Sequence, residues 1–275
     1  MKKTQCLLVC TLICYLVFHL RCSNQNQSED SITEVNLKKC NKLENEMLIC
    51  IAYVEDFKTK PYFCGARWTI GYGSTVLDNG ERVTPKTPKI SKREGRELCL
   101  SHLRKHIYPF LRYVKRELSD EEILGTVMFI YNIGGENFSG YDEKHNKIPN
   151  KKEASFLTAI NNGERGIDCA QKMTGFCASN GKRANGLLKR HWVQGAVFCG
   201  ILTPQMLLEL EPAKFYQTKN MGNYYRLDSK RNIIRNDGFY CLNFDQNIQN
   251  VFFKMNKGRK KTSDILDDIT LSNFL

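Results

Sequence analysis

A glutamate that closes an apolar helical stretch is placed to keep a proton at neutral pH and to give it up on demand. Glu55 stands at such a point. Leu43, Met47, Cys50, Tyr53, Val54 and Phe57 recur at helical spacing around it, which predicts a helix over 43–57, and a glycine-rich segment follows closely. A carboxyl packed against apolar neighbours at the edge of a cleft holds its proton above the ordinary carboxylate range. Glycosidic hydrolysis needs such an acid to protonate the leaving oxygen. It also needs a second group, across the sugar, to supply or activate a nucleophile. Most glutamates at helix ends only solvate the backbone, so Glu55 acquires meaning only if further residues stand in register with it.

The elements that would position this chemistry can be followed along the chain. Trp68-Thr69-Ile70-Gly71-Tyr72-Gly73-Ser74-Thr75-Val76, then Asp78-Asn79-Gly80 and Glu81-Arg82-Val83, predict a small glycine-rich hairpin turning at Asn79-Gly80. Ser91 with Glu94 three residues on is a capping box, opening a helix expected to run to about 118. Ser119 with Glu122 repeats the signal for a second helix, which ends at Gly134-Gly135. Residues 141–152 read as a polar surface loop, 154–161 and 187–198 as helices, and 202–215 as a helical stretch before a basic run at Lys257–Lys261. Trp68 and Trp192 read as core residues. The expected fold class is α+β: a mostly helical domain with a small β-hairpin sheet beside the helix that carries Glu55.

Composition sets the wider frame. Over 275 residues, Lys and Arg total 41 against 29 Asp and Glu, for a formal net charge of +12. A surface of that sign favours polyanions, among them nucleic acid, anionic lipid and the bacterial envelope. Lys2 and Lys3 precede an apolar run from Cys6 to Leu20 that stops at Arg21, the pattern of an export signal. An uncleaved membrane anchor and a lipidated Cys22 stay open as alternatives. The organisation this predicts is a signal peptide or anchor over 1–22, a linker over 23–40, a catalytic domain over 41–200, and an extension over 201–275. Twelve cysteines include no C-x-x-C pair, and no metal or organic cofactor is expected.

With these elements in place, three blocks carry a resemblance: Glu55-Asp56-Phe57, Pro61-Tyr62-Phe63-Cys64, and Thr69-Ile70-Gly71-Tyr72-Gly73-Ser74-Thr75. Together they resemble the active-site signature of the phage-type lysozymes, glycoside hydrolase family 24. Phe129-Ile130-Tyr131-Asn132-Ile133-Gly134, the segment 156–163, and Gly186-Leu187-Leu188-Lys189-Arg190 resemble later blocks of that family in the same order. The resemblance covers about 41–200. It implies a lysozyme-like fold and an N-acetylmuramidase acting on the β-1,4 bond of bacterial peptidoglycan. It makes Glu55 the general acid, Cys64 the residue standing where an Asp usually assists the attack, and Thr69 the residue that positions water or braces the opposite face of the sugar. It places Tyr72, Asn132 and Arg190 at the substrate.

This chain departs from the family in three ways. Glu55 and Cys64 keep the family spacing, but the step from Cys64 to Thr69 is one residue short. Cys64 replaces a carboxylate, and a thiol needs a lowered pKa to match one. Ser74 stands where many members carry His. An exported catalytic thiol also suggests redox control, with Cys64 paired to Cys50 or Cys40 until exchange frees it. Lys182, Arg183, Lys189 and Arg190 either meet the peptide stem and phosphates of the wall or form a solvated face.

The expected partner is peptidoglycan, with membrane association through the N-terminal segment as an option, and the chain is expected to act as a monomer. A silent wall-binding protein with a retained cleft is the competing reading. Nucleic-acid binding ranks last, because no recognition signature accompanies the charge and the export signal opposes it.

Overall fold

The structure, a computed structural model, describes residues 30–64, 67–179, 182–183 and 185–209, with two-residue strands at 226–227, 233–234 and 239–240. Helix α1 (residues 30–42) occupies much of the segment expected to be a linker. Cys40 and Leu43 sink into the core, and Asn36 is fully buried beside them. The Asn36 side chain donates to the Arg116 carbonyl and accepts from the Leu118 N–H, each at 3.0 Å. Lys39 Nζ donates to the Leu118 carbonyl at 2.6 Å. The chain is therefore packed from α1 onward, within the stretch 23–40 expected to be a linker. Residues 23–29 and the apolar run 6–20 lie outside the described residues. Among the described residues no helix is long and apolar enough to cross a membrane.

Helix α2 (Glu44–Val54) is buried at every position from Met47 to Val54. A helix apolar on all sides belongs at the centre of a core. It stops three residues earlier than its periodicity predicts, because Glu55 turns extended (φ −112°, ψ 123°) and leads into strand β1 (Lys58–Cys64). Strand β1 pairs antiparallel with β2 (Arg67–Gly71), with Tyr62 opposite Thr69 and Cys64 opposite Arg67. The expected hairpin is thus displaced. Its main ladder runs upstream to 58–64, and the Asn79-Gly80 turn closes a single bridge between Val76 and Arg82.

Both capping boxes form as expected. The Ser91 hydroxyl accepts from the Glu94 N–H at the start of α3 (Lys92–His102), and Ser119 does the same with Glu122 at the start of α4 (Asp120–Ile133). Beyond α3 the helix continues only as a π turn (Leu103–Ile107) and a 3-10 turn with Pro109 near its start (Tyr108–Tyr113), ending before the expected 118. The Glu122 carboxylate has a second use. Arg116 grips it with two bonds of 2.7 and 2.8 Å, and Arg165 adds a third at 3.0 Å.

Short helices α5 (Gly135–Ser139), α6 (Ser155–Asn161) and α7 (Gly166–Ala170) lead to α8 (Asn185–Phe198). The polar segment 141–152 is a loop. Ala178–Ser179 and Lys182–Arg183 pair as a minimal hairpin before α8. Helix α9 (Pro204–Glu209) follows, and Leu202, Leu207 and Leu208 join the main core, so packing extends past the expected boundary at 200. The rest of the expected helix to 215 and the basic run 257–261 lie outside the described residues. The observed class is the expected one: mostly helical, with a small antiparallel sheet beside α2.

Helices α4 and α8 cross at Gly125. A Cβ there would lie 2.5–2.7 Å from the Cβ, Cα and N of Phe198, atoms that cannot move without shifting α8. Gly125→Ala is expected to cost about 2 kcal/mol through overpacking, read as a lowered melting temperature. A variant that melts with the wild type would show that the two helices separate freely.

Candidate active site

Glu55 is the cap residue of α2, its N–H bonded to the Ile51 carbonyl. Its side chain is only 15% exposed. Burial pushes the carboxyl above its ordinary value of 4.5, and the Arg190 guanidinium opposes that shift without cancelling it. Arg190 Nη1 donates directly to Glu55 Oε1, bringing α8 onto the end of α2. Arg190, expected at the substrate, is therefore engaged with the acid itself.

The hairpin supplies the facing wall. Backbone bonds of 2.9 and 3.0 Å between Ile70 and Ser74 bracket the turn Gly71-Tyr72-Gly73. Gly73 (φ +93°) presents its open side to Glu55, where a Cβ would sit 3.7 Å from Oε2. Only glycine adopts that conformation at little cost. The Tyr72 ring is 1% exposed and packs against Phe57 at 5.1 Å. The Tyr72 side chain, expected at the substrate, is packed in the core here, and the turn meets Glu55 through its backbone.

Cys64 and Thr69 lie on one face of the sheet. The pairs Tyr62–Thr69 and Cys64–Arg67 share that face, while the Phe63–Trp68 pair, 5.7 Å apart, occupies the other. Thr69 is nearly buried and donates from Oγ1 to the Tyr62 carbonyl at 3.2 Å. Cys64 is exposed. Burial raises the Tyr62 phenol, and the charges of Glu55 and Cys64 add to that, which sets this face in the field of the acid. Cys40 and Cys50 are fully buried and free, so the expected pairing with Cys64 is absent.

A cavity of about 550 Å³ opens beyond Gly73. Asn132 lines it, and its buried Oδ1 has no partner among the described residues. Arg67, His102, His106 and Glu143 line it as well and were not foreseen. The two histidine rings stand 5.1 Å apart, and His106 Nδ1 meets Glu143 Oε1 at 3.0 Å. Burial, then the neighbouring His106, lowers His102 to about 4, so it is neutral at physiological pH. The i, i+4 spacing of the histidines was the signal available in the sequence. The side chains of Lys182, Arg183 and Lys189 lie outside the described residues. Among the described residues no group of three or more His, Cys, Asp and Glu forms a metal-binding set.

A cleft of this size, beside a buried carboxyl and a glycine turn, suits a ligand with many hydroxyl and amide groups. Similar solved structures include an endolysin from Escherichia coli O157:H7 phage FAHEc1, 22% identical, covering 58% of this chain and 94% of that one with a TM-score of 0.45. A P22 lysozyme mutant is 19% identical, with coverage of 55% and 94% and a TM-score of 0.44. The muramidase domain of SpmX from Asticaccaulis excentricus is 20% identical, with coverage of 55% and 93% and a TM-score of 0.40. No sequence among curated proteins matches the chain. The phage lysozyme family matches residues 52–192, just over half of the chain and the whole span from before Glu55 to beyond Arg190. On that match the chain belongs to the phage lysozyme family, the lysozymes that hydrolyse peptidoglycan.

Proposed function

We propose that the protein cleaves the β-1,4 bond between N-acetylmuramic acid and N-acetylglucosamine, with Glu55 as general acid. The observation that carries this reading is the Glu55 carboxyl, 15% exposed and held by burial above the ordinary carboxylate range. A carboxyl that burial keeps protonated above its ordinary range can deliver its proton to the leaving oxygen. Arg190 then stands ready to steady the carboxylate that remains. Asn132 offers an amide to the sugar's hydroxyl and acetamido groups.

Cys64 and Thr69, on the sheet face near Tyr62, take the nucleophile's side. Thr69 orients the attacking water, and Cys64 assists where relatives use a carboxylate. Cys64→Ala is expected to slow wall clearance roughly tenfold to a hundredfold, and Cys64→Asp to retain activity, measured as the initial rate of turbidity loss. Because Cys64 is exposed, both variants should melt with the wild type. Equal rates for Cys64→Ala and the wild type would remove the thiol from the mechanism.

The bond specificity is tested by mass spectrometry of borohydride-reduced digestion products. Reduced muramic acid at the new ends supports the proposal, and reduced glucosamine overturns it. A silent wall-binding protein is favoured by one observation: Thr69 Oγ1 is engaged with the Tyr62 carbonyl and Cys64 is no carboxylate. Co-sedimentation with peptidoglycan without any new reducing ends would establish that reading. Export by residues 1–22, contact with a membrane through them, and monomeric action belong to the same proposal and agree with a wall substrate.

A further inference from the structure

Tyr131 lies near the end of α4 with its ring facing the hairpin turn. Its hydroxyl donates to the Tyr72 carbonyl at 2.7 Å. His102 packs edge-on against the ring at 5.5 Å, and Cys99 Sγ stands 3.9 Å from the hydroxyl. The bonded carbonyl belongs to the peptide that joins Tyr72 to Gly73. Gly73 in turn is the residue whose open side lies against Glu55, with space for a Cβ only 3.7 Å from Oε2 and 3.9 Å from the carboxyl carbon. Pulling on the one therefore moves the other. A buried carbonyl in a tight turn needs a donor, and here α4 provides one.

We infer that Tyr131 is a positioning residue: its hydroxyl clamps the 71–73 turn onto α4 and so keeps Gly73 seated against the Glu55 carboxyl. This rests on the reading of Glu55 as the acid. Desolvation is the largest influence holding the Glu55 proton, and Gly73 is the backbone packed beside Oε2. A turn released from Tyr131 admits water there, weakens that desolvation and lets the carboxyl ionise at lower pH.

The other groups that act on Glu55 do not titrate in its range. Burial raises Cys99 on α3 to about 12, and burial likewise raises Tyr62 on β1 and Tyr131 itself. Tyr131 and Gly73 also line the cavity, but loss of the hydroxyl alone leaves the ring in place, so the effect falls on the chemical step and not on affinity.

The test is Tyr131→Phe in the full chain, which keeps the ring on His102 and removes only the hydroxyl. The expected result is kcat lowered about tenfold with KM within about twofold, as a misplaced wall would give. The alkaline limb of the kcat–pH profile should move downward. In carbon-13 NMR the titration of the Glu55 carboxyl should move the same way. An unchanged titration with a lowered melting temperature would make Tyr131 merely structural and overturn the inference. A raised KM with unchanged kcat would make it a substrate contact and overturn it as well. If Glu55→Gln kept its activity, the acid reading would fall, yet the NMR titration would still decide whether the clamp exists.

Discussion

Glu55→Gln is expected to slow wall clearance by roughly a thousandfold while leaving the protein folded. The amide has the shape of the acid but no proton to give, so the loss falls on the bond-breaking step. It can still accept a hydrogen bond from Arg190, the contact that ties α8 to the end of α2. The pH dependence has a definite sign. The Glu55 carboxyl is raised in the folded protein, so wild-type activity is present while it is protonated and falls as pH climbs through that raised value. The same shift means that burying the ionised form opposes folding at neutral pH, so removing the charge there should not lower the melting temperature. Turbidity assays from pH 4 to 8, run beside thermal melts, separate the two effects. A variant that retains a tenth of wild-type activity would place the proton donor elsewhere. A collapsed melting temperature would show instead that Glu55 is a structural ion pair.

Glu122→Ala carries the largest expected loss of stability, about 3–5 kcal/mol. The carboxylate is 6% exposed and accepts two bonds from Arg116, which is itself 14% exposed, and one from Arg165. It also accepts the Ser119 N–H at 3.0 Å, completing the cap of α4. Removing it takes the counter-charge from a nearly buried guanidinium and breaks one half of the capping box at once. Burial raises the Glu122 carboxyl, but the Arg116 and Ser119 bonds outweigh that and leave it below its ordinary 4.5. A depressed carboxyl contributes stability that is present above its unfolded value and lost as pH falls through the folded one. The gap between wild type and Glu122→Gln should therefore be full at pH 7 and shrink below 4.5. Denaturant melts at pH 7 and pH 3 read this directly. A gap that is unchanged at pH 3 would mean that shape, and not charge, is what Glu122 provides.

What the sequence made legible was local. Helices α3 and α4 announce their starts because each capping box is complete within four residues. Helix α1 was missed because Asn36, a polar residue on its inner face, finds both partners some 80 residues away. Strand β1 was missed because Pro61 and two lysines break its alternation and a bulge shifts its register between Lys58 and Tyr62. The site divides the same way. Glu55, Cys64 and Thr69 fall within one short motif. Arg190 read as a surface or substrate cation because its partner lies 135 residues upstream. Tyr72 sits inside the motif, yet its burial is set by contacts with Phe57 and with the hydroxyl of Tyr131, contacts that the order of residues does not display.

The connection from Val114 to Ser119 is not helical, and a stretch of that kind ordinarily opens first in the native state. Here it is tied to segments that precede and follow it in the sequence. Asn36 and Lys39 hold it from α1, while Arg116 reaches the carbonyls of Ile160 and Glu164 as well as Glu122. No single part can detach without breaking bonds to the others. The first helix, the start of α4 and the corner between α6 and α7 therefore open as one cooperative unit. Their amides should share one slow hydrogen-exchange regime, in contrast to the exposed 141–152 loop. The last stretch of a nascent chain to complete this unit is the 160–165 corner, so the connection that holds α1 gains its own anchor only after most of the domain has been made.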